Sequence, residues 1–343
     1  MTDANSLYGP LADPAADAGH PDPPPRVGFF TDTSVCIGCK ACEVACKEWN
    51  DVPETGLDLL GMSFDNTGML GANSWRHVAF VEQRRPLGRQ DAGLSGLPTG
   101  PSAAEAAAGT AADAPGGSGP AGGAPGTGPV DLGLPSFDLP GAQGGAGTRT
   151  EFRWLMSSDV CKHCTHAGCL DVCPTGALFR TEFGSVVVQP DICNGCGYCV
   201  SGCPYGVIDR RPDDGRAWKC TLCYDRLRGG LEPACAKACP TDSIQFGPLD
   251  ELRERADRRL ADLHEAGVGE ARLYGRDPND GVGGDGAFFL LLDDPEVYGL
   301  PPDPVVPTRD LASMWKHAAV AASALLTASA AVFWKGLGKG GRR

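Results

Sequence analysis

Sixteen cysteines stand in this chain of 343 residues, in four groups of four with none left over. Group one, Cys36, Cys39, Cys42 and Cys46, has the spacing C-x2-C-x2-C-x3-C, and group three repeats it at Cys193, Cys196, Cys199 and Cys203. Group two (Cys161, Cys164, Cys169, Cys173) widens the middle gap, and group four (Cys220, Cys223, Cys235, Cys239) widens it further. Proline follows the last cysteine of three groups, as Pro174, Pro204 and Pro240, whereas Lys47 stands there in group one. A tight loop of this kind presents three thiolates to three corners of one iron–sulfur cubane. The fourth cysteine, on the helix that follows, faces away and has to ligate a different cluster. Motifs so built work in exchanged pairs, and four of them make four [4Fe–4S] clusters. Small residues within the loops (Gly38, Ala41, Gly168, Gly195, Gly197) let backbone N–H groups point at the sulfurs, which stabilises the reduced cluster. Zinc ribbons also use C-x2-C pairs, but four ligands complete such a site and nothing in it asks for a further cysteine three residues on. Disulfides fit worse, since neighbouring C-x2-C-x2-C cysteines are poorly placed to cross-link distant segments.

The elements that must hold these loops are short. Strand candidates are Phe29–Thr31, Val78–Val81, Phe152–Met156, Val186–Gln189 and Ile244–Phe246, each bounded by turn residues, with no α/β alternation. Leu249, Leu252, Ala256, Leu260 and Leu263 share one face of a helix ending near Gly267. Ala287–Leu292 (AFFLLL) is apolar on both parities and reads as a buried strand. With 48 glycines and 29 prolines, about twice the average share, part of the chain is not core. Pro86 to Thr150 is mostly Gly, Ala, Pro and Ser, with few aromatic or β-branched residues, and reads as a low-complexity insertion. The first 26 residues, rich in Pro, Ala and Asp, lack a charged-then-apolar pattern and read as a disordered tail, not a signal peptide. A formal charge of −13 argues against nucleic acid as a partner. Ala318–Trp334 carries no charge over 17 residues, roughly 26 Å of helix and at the short limit for a bilayer crossing.

With these motifs in place, the chain resembles the iron–sulfur (beta) subunit of membrane-bound formate dehydrogenases. The matching text is CIGCKACEVACKEWND from Cys36, CKHCTHAGCLDVCPTGAL from Cys161, CNGCGYCVSGCPYGV from Cys193 and KCTLCYDRLRGGLEPACAKACPT from Lys219. GVGG from Gly281, YGLPPDP from Tyr298 and the terminal apolar helix also match. The cluster motifs alone are shared with subunits of sulfoxide and sulfur-compound reductases and of some hydrogenases. The resemblance implies an α+β fold of two ferredoxin-like 2[4Fe–4S] domains with one C-terminal transmembrane helix. It implies that motifs one and four share a pair of clusters and motifs two and three the other pair. Cluster 1 would take Cys36, Cys39, Cys42 and Cys239, and cluster 2 would take Cys46, Cys220, Cys223 and Cys235. Cluster 3 would take Cys161, Cys164, Cys169 and Cys203, and cluster 4 would take Cys173, Cys193, Cys196 and Cys199. The chain then divides into a tail (1–26), domain A in two parts (27–85 and 210–248), the insertion (86–150) and domain B (151–209). A C-terminal extension (249–310), the membrane helix (311–335) and a basic tail (336–343) complete it.

No residue set suggests a nucleophile, an acid–base pair or a dinucleotide site, so catalysis is expected in a partner. The resemblance implies a large molybdenum- or tungsten-pterin subunit that oxidises formate, and a membrane cytochrome b or quinone-linked subunit that accepts the electrons. This chain would be the wire between them. Other readings are the same role in another molybdopterin oxidoreductase or a hydrogenase, a soluble polyferredoxin, or a scaffold with redox-silent clusters. Lys219 and Lys40 are candidates for raising cluster potentials by their charge, while His163 and His166 read as structural, since four thiolates already satisfy each cluster. Lys335, Lys339, Arg342 and Arg343 follow the apolar helix, against Arg309 and Lys316 before it. The positive-inside rule therefore puts the C-terminus in the cytoplasm and the cluster domain on the other side of the plasma membrane.

Overall fold

A computed structural model describes residue 11 and residues 13–56, 64–65, 67–83 and 153–339. The insertion expected at 86–150 lies outside the described residues, as do residues 1–10 of the tail and the last four of the basic tail. Residues 13–26, expected as part of that tail, instead have defined structure. Asp13 accepts the N–H groups of Ala15 and Ala16 and, with Pro14 in the first turn, starts helix α1 (Pro14–Asp17). Arg26 is then held by Thr165 Oγ1 at 2.7 Å and the His163 carbonyl at 2.9 Å. Burial pushes its pKa down to about 9.

Strand β1 (Val27–Asp32) leads into the first cysteine loop and helix α2 (Ala41–Asn50). Strands β2 (Arg76–Gln83) and β3 (Arg153–Val160) pair with each other. The second and third motifs carry one-turn helices α3 (Gly168–Asp171) and α4 (Tyr198–Ser201). Between and after them lie two hairpins, β4 (Leu178–Arg180) with β5 (Val186–Val188), and β6 (Asp209–Arg210) with β7 (Ala217–Trp218). The fourth motif carries α5 (Tyr224–Arg228) and α6 (Ala234–Lys237). Strand β8 (Ile244–Pro248), helix α7 (Leu249–Glu265), β9 (Arg272–Tyr274) and β10 (Ala287–Leu291) complete the body, and α8 (Leu311–Lys339) ends it.

A four-stranded sheet in the order β8-β1-β10-β9 organises the fold. Its centre is a parallel pair: Phe29 faces Ala287 and Phe30 faces Phe288, whereas β8 and β9 flank it antiparallel. The extension after residue 249 thus supplies an inner strand of the sheet that the first motif leaves from. A strand buried on both faces has no polar parity, which is why AFFLLL is apolar throughout and all of β10 is solvent-free. One face packs Phe30, Phe288 and Leu290 against Leu249, Leu252, Ala256 and Leu263 of α7. The other face presents Phe29, Phe289 and Leu291 to Cys42, Cys46, Cys220 and Cys235. The sheet is therefore a wall with a helix behind it and cysteine loops in front.

Helix α8 is unlike the rest. Its stretch Ser313–Trp334, 22 residues, is long and apolar enough to cross a membrane, and none of it is buried. Met314, Val320, Leu325, Leu326, Val332 and Phe333 all stand mostly exposed. A helix with an apolar surface on every side is stable only in an apolar surrounding.

Candidate metal centres

Four cavities, each walled by four cysteines, hold the sixteen thiols, and none of these is in a disulfide. The first gathers Cys36, Cys39, Cys42 and Cys239. The second gathers Cys46, Cys220, Cys223 and Cys235. Cys161, Cys164, Cys169 and Cys203 line the third, and Cys173, Cys193, Cys196 and Cys199 the fourth. Each set takes three cysteines from one loop and one from a different motif. These are the quartets that the sequence resemblance implies. Cys42 and Cys46 lie one helical turn apart on α2 yet open into different cavities, because i and i+4 side chains sit at different heights along the helix.

Among the described residues no three His, Cys, Asp or Glu side chains close in on a single-ion site, and each quartet of thiols lines a common cavity, the ligand set of a four-iron cubane. In each cavity at least one buried thiol resists ionisation. Burial pushes the Cys42 thiol up to about 11 even though Arg76 and Ser158 favour its anion, and Cys199 likewise rises to about 11. A strongly cationic group placed among the four thiols of a cavity would hold them as thiolates, which is what iron supplies.

The loops share one backbone device. The residue before the second cysteine of each motif has positive φ: Gly38 at 65°, His163 at 46°, Gly195 at 71° and Leu222 at 58°. At Gly38 a side-chain carbon would also come within 2.5 Å of Met156 Sδ, and at Gly195 within 2.4 Å of the Gly215 carbonyl. Two loops adopt this conformation with glycine at no steric cost. The other two accept the strain, of order 1–3 kcal/mol per residue, and hold it by packing. Leu222 is buried in the core, and His163 Nδ1 accepts the Val186 N–H at 3.1 Å. His163 also lines the third cavity.

Lys40 and Lys219, singled out from the sequence, occupy different settings. Lys40 lines the first cavity, but its ammonium is within 3.4 Å of Glu43 and 3.8 Å of Asp65. Lys219 lines the third cavity, is almost wholly buried, and donates to the carbonyls of Val186 and, at 2.9 Å, Cys220. Burial favours its neutral amine, yet the sulfurs of Cys161, Cys169 and Cys220 outweigh that and raise its pKa. Cys220 belongs to the second cavity, so this ammonium sits between the second and third. Arg76 is the functional residue that sequence reasoning missed: its Nη2 donates to Cys235 Sγ at 3.1 Å. In SWRHVAF an arginine on a strand carries no signal beyond an ordinary exposed charge.

The first and fourth cavities reach the surface, the second is closed, and the third holds one buried and three half-buried thiols. Cys39 and Cys196 are exposed, beside exposed Ile37 and Ile192, whereas all four cysteines of the second cavity are buried. The Gly281–Gly284 segment, noted in the sequence, ties the second motif to the exit of the chain. Gly284 accepts the Thr165 N–H at 3.0 Å, Val282 accepts the His166 N–H at 2.8 Å, and Gly281 accepts the Val306 N–H at 3.0 Å. Two residues later Thr308 donates to Asp171 of α3 at 2.6 Å. The base of α8 is therefore anchored on the helix that carries Cys169, close to Cys173 of the fourth cavity.

Residues 152–249 match the family model of the 4Fe-4S dicluster domain. Over 317 residues the chain is 35% identical to the formate dehydrogenase iron-sulfur subunit of Haemophilus influenzae, covering 89% of this chain and 79% of that protein. It is 34% identical over 297 residues to the iron-sulfur subunit of the nitrate-inducible formate dehydrogenase of Escherichia coli, covering 85% and 78%. Similarity extends to a subunit of the anaerobic dimethyl sulfoxide reductase of Escherichia coli, at 29% over 231 residues, covering 67% and 77%.

Proposed function

Because this protein belongs to the family of formate dehydrogenase iron–sulfur subunits, we propose that it conducts electrons in single file through four [4Fe–4S] clusters. They would run from a pterin-containing catalytic subunit that oxidises formate to a membrane cytochrome b or quinone-linked subunit. The observation that carries this reading is the set of four cysteine-walled cavities, with exposed thiols in the first and fourth and only buried ones in the second. Cys36, Cys39, Cys42 and Cys239 hold cluster 1, and Cys46, Cys220, Cys223 and Cys235 hold cluster 2. Cys161, Cys164, Cys169 and Cys203 hold cluster 3, and Cys173, Cys193, Cys196 and Cys199 hold cluster 4. Each pair sits in its own ferredoxin-like domain. A wire needs its termini near its partners and its interior away from solvent and stray oxidants, which fits this distribution of exposure.

The anchoring of the α8 base on the helix that carries Cys169 and ends two residues before Cys173 favours the fourth cluster as the membrane end, with the first cluster, at exposed Cys39, receiving electrons from the catalytic partner. The basic residues after Trp334 favour a cytoplasmic C-terminus and a cluster domain on the opposite face of the plasma membrane. Formate-driven reduction in membranes holding the whole complex tests the order. With Cys196→Ala, formate still reduces clusters 1 to 3 but no longer the membrane acceptor. With Cys39→Ala, formate reduces none of the remaining three. Full reduction of the acceptor in a Cys196→Ala complex that has lost cluster 4 would remove the proposal. Cluster reduction by another donor, with formate inert, would assign the same wire to a different oxidoreductase, the reading that the similarity to the dimethyl sulfoxide reductase subunit favours.

A further inference from the structure

Arg76 lies in the wall between the first and second cavities. Its Nη2 donates to Cys235 Sγ at 3.1 Å. Nη1 donates to Ser158, to the carbonyl at 3.1 Å and to Oγ at 3.3 Å. Ser158 Oγ in turn lies 3.2 Å from Cys42 Sγ. Cys235 belongs to the second cavity and Cys42 to the first, so one guanidinium reaches a sulfur of each, the nearer directly and the farther through a hydroxyl.

The residue is 2% exposed, and its guanidinium stands 4.9 Å from the centre of the Phe29 ring. Among the described residues no carboxylate pairs with it; the charges that raise its proton affinity against the penalty of burial are Cys235, Cys42 and Cys220. A buried cation without a counter-charge is strongly destabilising. Its counter-charge here is sulfur, on both sides. The fourth cavity has no lysine or arginine in its wall.

We infer that Arg76 is a shared electrostatic brace that raises the reduction potentials of clusters 1 and 2 together, directly through Cys235 and through Ser158 to Cys42. The inference rests on the four-cluster reading above. Adding one electron to either cluster increases its negative charge, and a fixed cation in a dry site stabilises that form more than the oxidised one. Because the same charge faces both clusters, their potentials move as a pair and neither becomes a trap for the electron passing between them. Arg76 acts through the ligands and positions no substrate.

The experiment is an electron-paramagnetic-resonance redox titration of the full chain in its native complex, for wild type, Arg76→Gln, Arg76→Lys and Ser158→Ala, each first assayed for iron and sulfide. In Arg76→Gln, at a fixed ambient potential, the ratio of oxidised to reduced cluster should rise at least tenfold for both clusters 1 and 2. That is a fall of 59 mV for a one-electron couple. Cluster 4 should not move. Arg76→Lys, which keeps the charge, should restore most of the shift, and Ser158→Ala should lower cluster 1 alone. An Arg76→Gln complex with full iron and unchanged potentials, or one in which all four clusters shift alike, overturns the inference. Should Arg76→Gln lose iron, Ser158→Ala decides: a shift confined to cluster 1 supports the relay, and no shift or a general one overturns it. Failure of the four-cluster reading would show in the wild type, as too little iron, before any potential is measured.

Discussion

Replacing Cys46 with alanine separates ligand exchange between motifs from local ligation, since this thiol follows the first loop in sequence but lines a cavity with three cysteines of the fourth motif. Cys46 Sγ lies 3.8 Å from Asn50 Nδ2, which is 3.7 Å from Cys223 Sγ, so the α2 helix holds the thiol on the Cys223 side. Loss of this ligand should remove between about one and four iron atoms from about sixteen, as the cluster converts to a three-iron form or is lost. Complete loss would deprive Arg76 of a counter-charge, about 3–5 kcal/mol for a broken buried pair. That is a large share of the whole stability of a domain, about 5–15 kcal/mol, so an emptied site should strongly destabilise the surrounding half, whereas a three-iron cluster should lower the melting temperature by a few degrees. Iron and sulfide analysis, resonance spectra and thermal unfolding read all three quantities. Cys239→Ala is the reciprocal control and should strike the cluster at Cys36, Cys39 and Cys42. If Cys46→Ala removes that cluster and leaves the one at Cys220, Cys223 and Cys235 intact, the exchanged arrangement is wrong.

The two lysines near the clusters should differ. Lys219→Met should lower the potentials of the clusters on either side of it, and Lys40→Met should do much less because Glu43 and Asp65 already offset its charge; an equal or larger shift at Lys40 in redox titrations would contradict this. Leu252→Ala, at a site 1% exposed under α7, should cost about 2–5 kcal/mol in denaturant unfolding without altering the iron content, and a cost under about 1 kcal/mol would mean that α7 does not cover the sheet. Burial alone would raise the Asp65 carboxyl, but the N–H groups of Gly68 and Thr67 and the imidazole of His77 hold it below the usual carboxylate range. A depressed folded pKa means stability present above about pH 4 and lost as pH falls through the folded value. The melting-temperature gap between wild type and Asp65→Asn should therefore be full at pH 6 and narrow steadily below pH 4, and a gap that stays constant to pH 3 would refute the assignment.

Motif spacing made the quartets legible because ligation is local: three thiols of one loop meet one group, and the fourth faces away. Which motif completes which quartet is a matter of long-range packing, and only the resemblance to a family supplied it. The same division runs through the fold. The α7 stripe and the doubly apolar β10 were readable from periodicity, but the parallel pairing of β1 with β10 joins segments at opposite ends of the chain and leaves no local trace. Two glycines pointed to the positive φ of their loops, while His163 and Leu222 adopt the same conformation under residue types that ordinarily avoid it. Arg26 lay in a tail whose composition looked unstructured, and a single capped turn with one buried guanidinium gives it order. Buried cations were the hardest to read, because a lysine or arginine in sequence is more often a solvated one.

Four clusters in one chain can be counted, from iron and acid-labile sulfide in the purified complex less what its other subunits contribute, with Mössbauer spectra to assign the iron type. About sixteen of each per copy of this chain, all in cubane sites, is the expected result. A fully reconstituted sample with iron for fewer than three clusters, or with stoichiometric zinc, would contradict it.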